Sequence, residues 1–128
     1  MTLKEAVKIC VGKKYADFST RASRKEFWSF ALFYWFLCLA MFMISILVDV
    51  VFEHSFQMFR LMVGVSVIIA LLLMVPTYAV CVRRLHDTGR SGWWILLYFI
   101  PYIGAIALLI MLCRKSDEDN KYGPKPLL

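Results

Sequence analysis

The sequence predicts an all-α polytopic membrane protein. It has three transmembrane helices and a short N-terminal amphipathic segment, folded as a single integral membrane domain over residues 1–128. Three observations carry that prediction. Hydrophobic residues make up 61% of the chain, against roughly 45–50% in an ordinary soluble domain. The mean hydropathy is +0.67. Residues 27–48, 61–82 and 93–113 each run without one Asp, Glu, Lys or Arg. As a helix each run reaches about 32 Å, against a hydrocarbon core of about 30 Å.

The elements follow in chain order. Leu3, Val7, Cys10 and Val11 recur at helical spacing while Lys4, Lys8, Lys13 and Lys14 fall on other faces, the pattern of a short helix lying on a membrane surface. The 27–48 run is longer than the apolar core of a signal peptide and ends without a small-residue cleavage site, so it is expected to be retained. Ser23 and Glu26 have the spacing of a capping box at the start of this first span, and Trp28 falls at interface depth. Residues 49–60 bring Phe52, Phe56 and Phe59 into helical register, which predicts a linker lying along the far interface. Pro76 interrupts the second span, with Thr77 a candidate to recover the hydrogen bond that proline removes. Pro101 and Gly104 interrupt the third. The tail 114–128 is polar, and Pro124 and Pro126 bar a helix there, so it reads as solvated.

Orientation comes from the basic residues. Seven precede the first span, Arg60 stands alone in the first linker, and Arg83, Arg84 and Arg90 fill the second. Lys and Arg favour the cytoplasmic side, so the N-terminus is expected inside. Three crossings would then leave the C-terminus periplasmic, although the tail carries Arg114, Lys115, Lys121 and Lys125. A re-entrant third segment, turned back at Pro101, is the alternative that keeps these charges inside.

One cluster invites a functional reading. Arg21, Arg24, Glu26, Arg83, Arg84, His86, Asp87 and Arg90 would meet at one membrane face. Arginines at helix ends are expected as orientation anchors, but that role does not call for Glu26, His86 or Asp87. The carboxylates are expected to pair with arginines across helices. Arg83 and Arg84 are the expected grip on a lipid phosphate or other anion. No nucleophile motif, phosphate loop or metal quartet accompanies the cluster, and Cys10, Cys38, Cys81 and Cys113 lack metal-site spacing. The chain is therefore not expected to be an enzyme, nor to hold a metal or cofactor. The +6 net charge flanks apolar runs, which points to membrane lipid, anionic phospholipid above all, and away from nucleic acid. Because three helices enclose little volume, a homo-oligomer or a membrane-protein partner is expected. A small transporter or channel subunit with proline-broken helices lining a path is the alternative, and an enzyme acting on lipid comes third.

The blocks "FSTRASRKEFW", "RRLHDTGRSGWW", "IPYIG" and "NKYGP" together resemble the domain-of-unknown-function 805 family, small bacterial inner-membrane proteins. The resemblance extends over nearly the whole chain. It departs at Thr20, where the family carries glycine, and at residues 114–119, where it carries glycines. It implies an inner-membrane location and marks Arg21, Arg24, Glu26, Phe27, Trp28, Arg83, Arg84, Leu85, His86, Asp87, Arg90, Ser91, Gly92, Trp93, Asn120, Tyr122 and Gly123 as motif positions. It implies no particular activity.

Overall fold

In the computed structural model, which describes residues 2–126, helix α1 (Leu3–Lys8) runs into a single π-helical stretch, Ile9–Lys13. Thr2 and Glu5 form a full capping box at its start. The buried positions are Ala6 and Cys10, while Leu3 and Val11 are exposed. Of the expected stripe, Cys10 is buried, Val7 is half-buried, and Leu3 and Val11 are exposed. The two small side chains, one turn apart, let this segment pack closely against the rest of the fold.

Helices α2 (Arg24–Val51) and α3 (Phe56–Asp87) form an antiparallel hairpin. Both are long and apolar enough to cross a membrane, and their most apolar stretches are unburied. Trp35, Phe36, Phe42 and Leu47 on α2, with Ile68 and Leu72 on α3, stand outward. In water such a surface would drive aggregation, whereas in lipid it is the solvated face. The turn between the helices is short. Glu53 and His54 both adopt positive φ, and Ser55 caps α3 through the amide of Met58 at 3.5 Å. Phe56 and Phe59 therefore open α3 and do not belong to an interfacial linker.

The other end of α3 stops at a Schellman motif. Gly89, at φ 76°, donates to the His86 carbonyl at 3.0 Å, and the Arg90 amide donates to that of Leu85 at 2.9 Å.

The third apolar run departs from the expected spanning helix. Ser91 caps a 3-10 segment, Gly92–Phe99, through the Trp93 amide at 3.4 Å. The chain then reverses through Pro101–Tyr102–Ile103, a γ-turn in which the Ile103 amide reaches the Pro101 carbonyl at 2.7 Å and Tyr102 takes φ 60°. Helix α4 (Ile103–Cys113) returns along the 3-10 segment. A β-carbon on Gly104 would stand 1.9 Å from the Leu97 carbonyl, so only glycine permits this approach. Both ends of the run come back to the same end of α3. Gly92 sits against Val82, and Arg84 donates to the carbonyls of Leu112 and Arg114. The expectation of three crossings meets, among the described residues, two helices long enough to span. The further expectation for the chain end at Leu128 lies outside the described residues.

Candidate functional site

The end of the hairpin opposite the Glu53 turn holds an unusual density of buried charge. Arg21, Ser23, Glu26, Arg83, Arg84, His86 and Asp87 are each no more than 6% exposed. Local structure brings them together. Ser23 caps α2 by accepting from the Glu26 amide at 3.2 Å. The reciprocal half of the expected capping box is not made, because the Glu26 side chain turns away to pair with Arg83. The last turn of α3 presents Arg83, Arg84, His86 and Asp87, and the Ala22 amide ties the incoming chain to the Arg83 carbonyl at 3.0 Å.

Asp87 is the hub. One carboxylate oxygen takes the Arg21 guanidinium at 3.0 Å; the other takes Arg84 and the Ser116 hydroxyl. Its backbone carbonyl accepts from the Asp117 amide at 2.7 Å. Arg21 uses all five of its N–H donors. They go to Asp87 and to the carbonyls of Asp87, Asp117, Glu118 and Gly123. A buried charge so fully paired is tolerable; stripped of one partner it is not.

Glu26 and Arg83 form a second pair, with the Cys10 thiol between them, 3.8 Å from Glu26 Oε1 and 3.7 Å from an Arg83 nitrogen. Burial pushes the Cys10 thiol up to about 11, with Arg83 opposing, so the sulfur stays protonated at physiological pH. Arg83 Nε is buried without a partner among the described residues.

The tail joins the same structure. Tyr122 stacks on the His86 ring, centroids 3.9 Å apart and nearly parallel, and the Asn120 amide donates to the His86 carbonyl at 3.1 Å. His86 Nδ1 lies 3.1 Å from the Thr20 carbonyl. The tail expected to be solvated is therefore tied down by Arg21, His86 and Asp87.

Of the residues singled out by sequence, Arg21, Glu26, Arg83, Arg84, His86 and Asp87 converge. Arg24 is exposed and Arg90 half-buried, and neither joins an ion pair among the described residues. Arg83 and Arg84, the expected grip on a lipid phosphate, are fully buried and turned to internal partners. Sequence reasoning missed Cys10, Ser116 and the tail's motif residues as members of the cluster. The signal available for the last was the "NKYGP" block itself.

A transport path through the membrane would need polar groups at mid-membrane. The groove of about 310 Å³ between α2 and α3 has Tyr34, Cys38, Ser45 and Ser66 as its polar lining, and the Ser45 hydroxyl is spent on the Met41 carbonyl at 2.8 Å.

The sequence as a whole is similar to known ones. The sequence profile of a family described as protein of unknown function, DUF805, matches residues 15–124. The chain belongs to this family. The match begins before the Arg21 block and takes in the tail to residue 124, so every member of the buried cluster except Cys10 lies within it. Two similar relatives are the Escherichia coli K12 inner membrane proteins YhaH and YhaI, each 34% identical. Alignment with YhaH covers 91% of this chain and 92% of the relative, and with YhaI 92% of each. No solved structure matches the chain. With bacterial inner-membrane relatives and two unburied apolar helices of spanning length, this is a membrane protein of the same kind.

Proposed function

We propose that this DUF805 protein is a lipid-binding membrane subunit without catalytic activity. Its buried polar cluster clamps both chain ends to one end of a two-helix hairpin, and exposed basic residues around that cluster engage anionic phospholipid at the cytoplasmic leaflet. One observation carries the reading. Of the 15 Lys and Arg residues, Arg60 is the single one at the Glu53 end of the hairpin; all the others gather at the clustered end. Under the positive-inside rule that end is cytoplasmic, and the tail, held by Arg21 and Asp87, is cytoplasmic with it. The third apolar run then enters and leaves on one side.

The division of labour differs from a pocket of lipid-gripping arginines. Arg21, Arg83 and Arg84 are consumed inside the protein, which leaves Lys4, Lys8, Lys13, Arg24, Lys25, Arg114, Lys115 and Lys121 exposed. Each contributes on the order of 1 kcal/mol near an anionic surface. Native mass spectrometry of the purified protein tests this. A Lys4→Gln, Lys8→Gln, Lys13→Gln triple variant should retain roughly a hundredfold less phosphatidylglycerol, with a weaker dependence on salt. An Arg83→Lys, Arg84→Lys variant should melt at lower temperature yet keep its phosphatidylglycerol per folded molecule. Unchanged lipid retention and salt dependence in the triple variant would overturn the proposal.

A further inference from the structure

Beside the cluster lies a cavity of about 460 Å³ whose polar lining includes Lys14, Arg21, Ser23, Glu26, Tyr122 and Lys125. Two lysines would make an ordinary anion pocket. Glu26 changes its chemistry. Its Oε1 is taken by Arg83 and Cys10, but among the described residues Oε2 accepts no hydrogen bond, although the side chain is only 6% exposed. A carboxylate oxygen on a cavity-lining side chain, left accessible and without a partner, is open to a donor, and to a charged donor most of all. On the cationic side, Lys14 joins no ion pair among the described residues. Lys125 touches Glu118 at 3.2 Å in an exposed pair, an interaction easily exchanged. Arg21, with every N–H spent, adds positive charge to the wall without offering a bond.

Resting on the lipid-binding reading above, we infer that this cavity binds a phospholipid headgroup carrying both a phosphate and a primary ammonium, the phosphoethanolamine class. The ammonium donates to Glu26 Oε2 and to the Ser23 hydroxyl oxygen. The phosphate lies between Lys14 and Lys125. A purely anionic headgroup leaves Oε2 unpaired and facing like charge. A choline headgroup has the positive charge but no N–H to give. The site thus discriminates by donor count within headgroups of equal net charge.

The test uses the full-length protein in nanodiscs exchanged among phosphatidylethanolamine, phosphatidylcholine and phosphatidylglycerol, with bound lipid counted by native mass spectrometry. Wild type should retain phosphatidylethanolamine roughly tenfold over phosphatidylcholine, the size expected for a hydrogen bond to a charged group. Lys14→Gln with Lys125→Gln should reduce that retention several-fold at unchanged melting temperature. Glu26→Gln should remove the preference, but it also strands Arg83, so the headgroup comparison on wild type is the deciding measurement. Water-soluble phosphoethanolamine in excess should leave the bound lipid in place, and its displacement of that lipid would overturn the assignment to a membrane lipid. Equal retention of the two zwitterionic lipids, with phosphatidylglycerol still held through the exposed lysines, would sink the headgroup site alone. Loss of salt-sensitive phosphatidylglycerol binding would sink the broader reading.

Discussion

Asp87 shows what a single residue carries here. Its carboxylate has no exposure and neutralises part of two guanidinium charges, Arg21 and Arg84, that are themselves 2% and 0% exposed. Replacing Asp87 with Asn leaves both arginines buried without their counter-charge, a loss of roughly 3–5 kcal/mol. Glu53→Gln, in the exposed turn at the other end, should change stability little. Thermal melting in one detergent should separate the two variants clearly, and equal melting points would mean that the cluster is solvated and serves only orientation. How much of the cluster is legible in the sequence divides by distance along the chain. Carboxylates amid an arginine excess announce ion pairing, and the residue types are sufficient for that. Which arginine meets which carboxylate depends on where the two helix ends come to rest. The Tyr122 ring on His86 depends on a tail path that no local pattern encodes, and Asp117, which reads as a free tail carboxylate, proves to be bound to the cluster through its backbone.

At the scale of the element, the backbone gap that Pro76 leaves in α3 has an unexpected custodian. Pro76 has no N–H, so the carbonyl of Leu72, four residues back, loses its helical partner. Thr77 is the substitute that the sequence suggests, but its hydroxyl donates to the Leu73 carbonyl at 2.6 Å. The Leu72 carbonyl instead receives the Tyr15 hydroxyl at 2.5 Å, from a residue just beyond the π-helical stretch. The N-terminal segment is therefore seated on the proline break, and the pairing spans 57 positions, which places it beyond any local reading of the sequence. Tyr15→Phe should cost about 1–3 kcal/mol by leaving a carbonyl unpaired in apolar surroundings. In a Pro76→Ala background the backbone N–H returns to Leu72, and the same Tyr15→Phe change should cost close to nothing. A double-mutant cycle by thermal melting gives the coupling directly. An equal cost in both backgrounds would show that the hydroxyl does not stand in for the hydrogen bond that Pro76 removes.

For the whole molecule the decisive question is the path of residues 92–113. Apolar length alone favours a crossing, because 21 uncharged residues (93–113) as one α-helix would span the bilayer. The chain spends that length differently. Eight residues of 3-10 helix, Gly92–Phe99, extend about 16 Å at its steeper rise. The eleven of α4, Ile103–Cys113, extend about 16 Å as α-helix. Each arm is thus about half a hydrocarbon core deep, and the γ-turn at Tyr102 and the missing β-carbon of Gly104 let the arms lie together. The "IPYIG" break is visible in the sequence; that it reverses the chain is not, because the reversal rests on the Gly104–Leu97 approach and on tail contacts with α3. The same path removes the conflict posed by Arg114, Lys115, Lys121 and Lys125, which under three crossings would sit on the unfavoured side. A periplasm-active phosphatase fused after Leu128 should therefore be silent, while a fluorescent reporter active only in the cytoplasm should be bright at the same point. The phosphatase inserted at His54, in the turn between α2 and α3, should be active. Activity after Leu128 would mean that the third run crosses fully, and with it the common anchoring of both chain ends at Arg21 and Asp87 would fall.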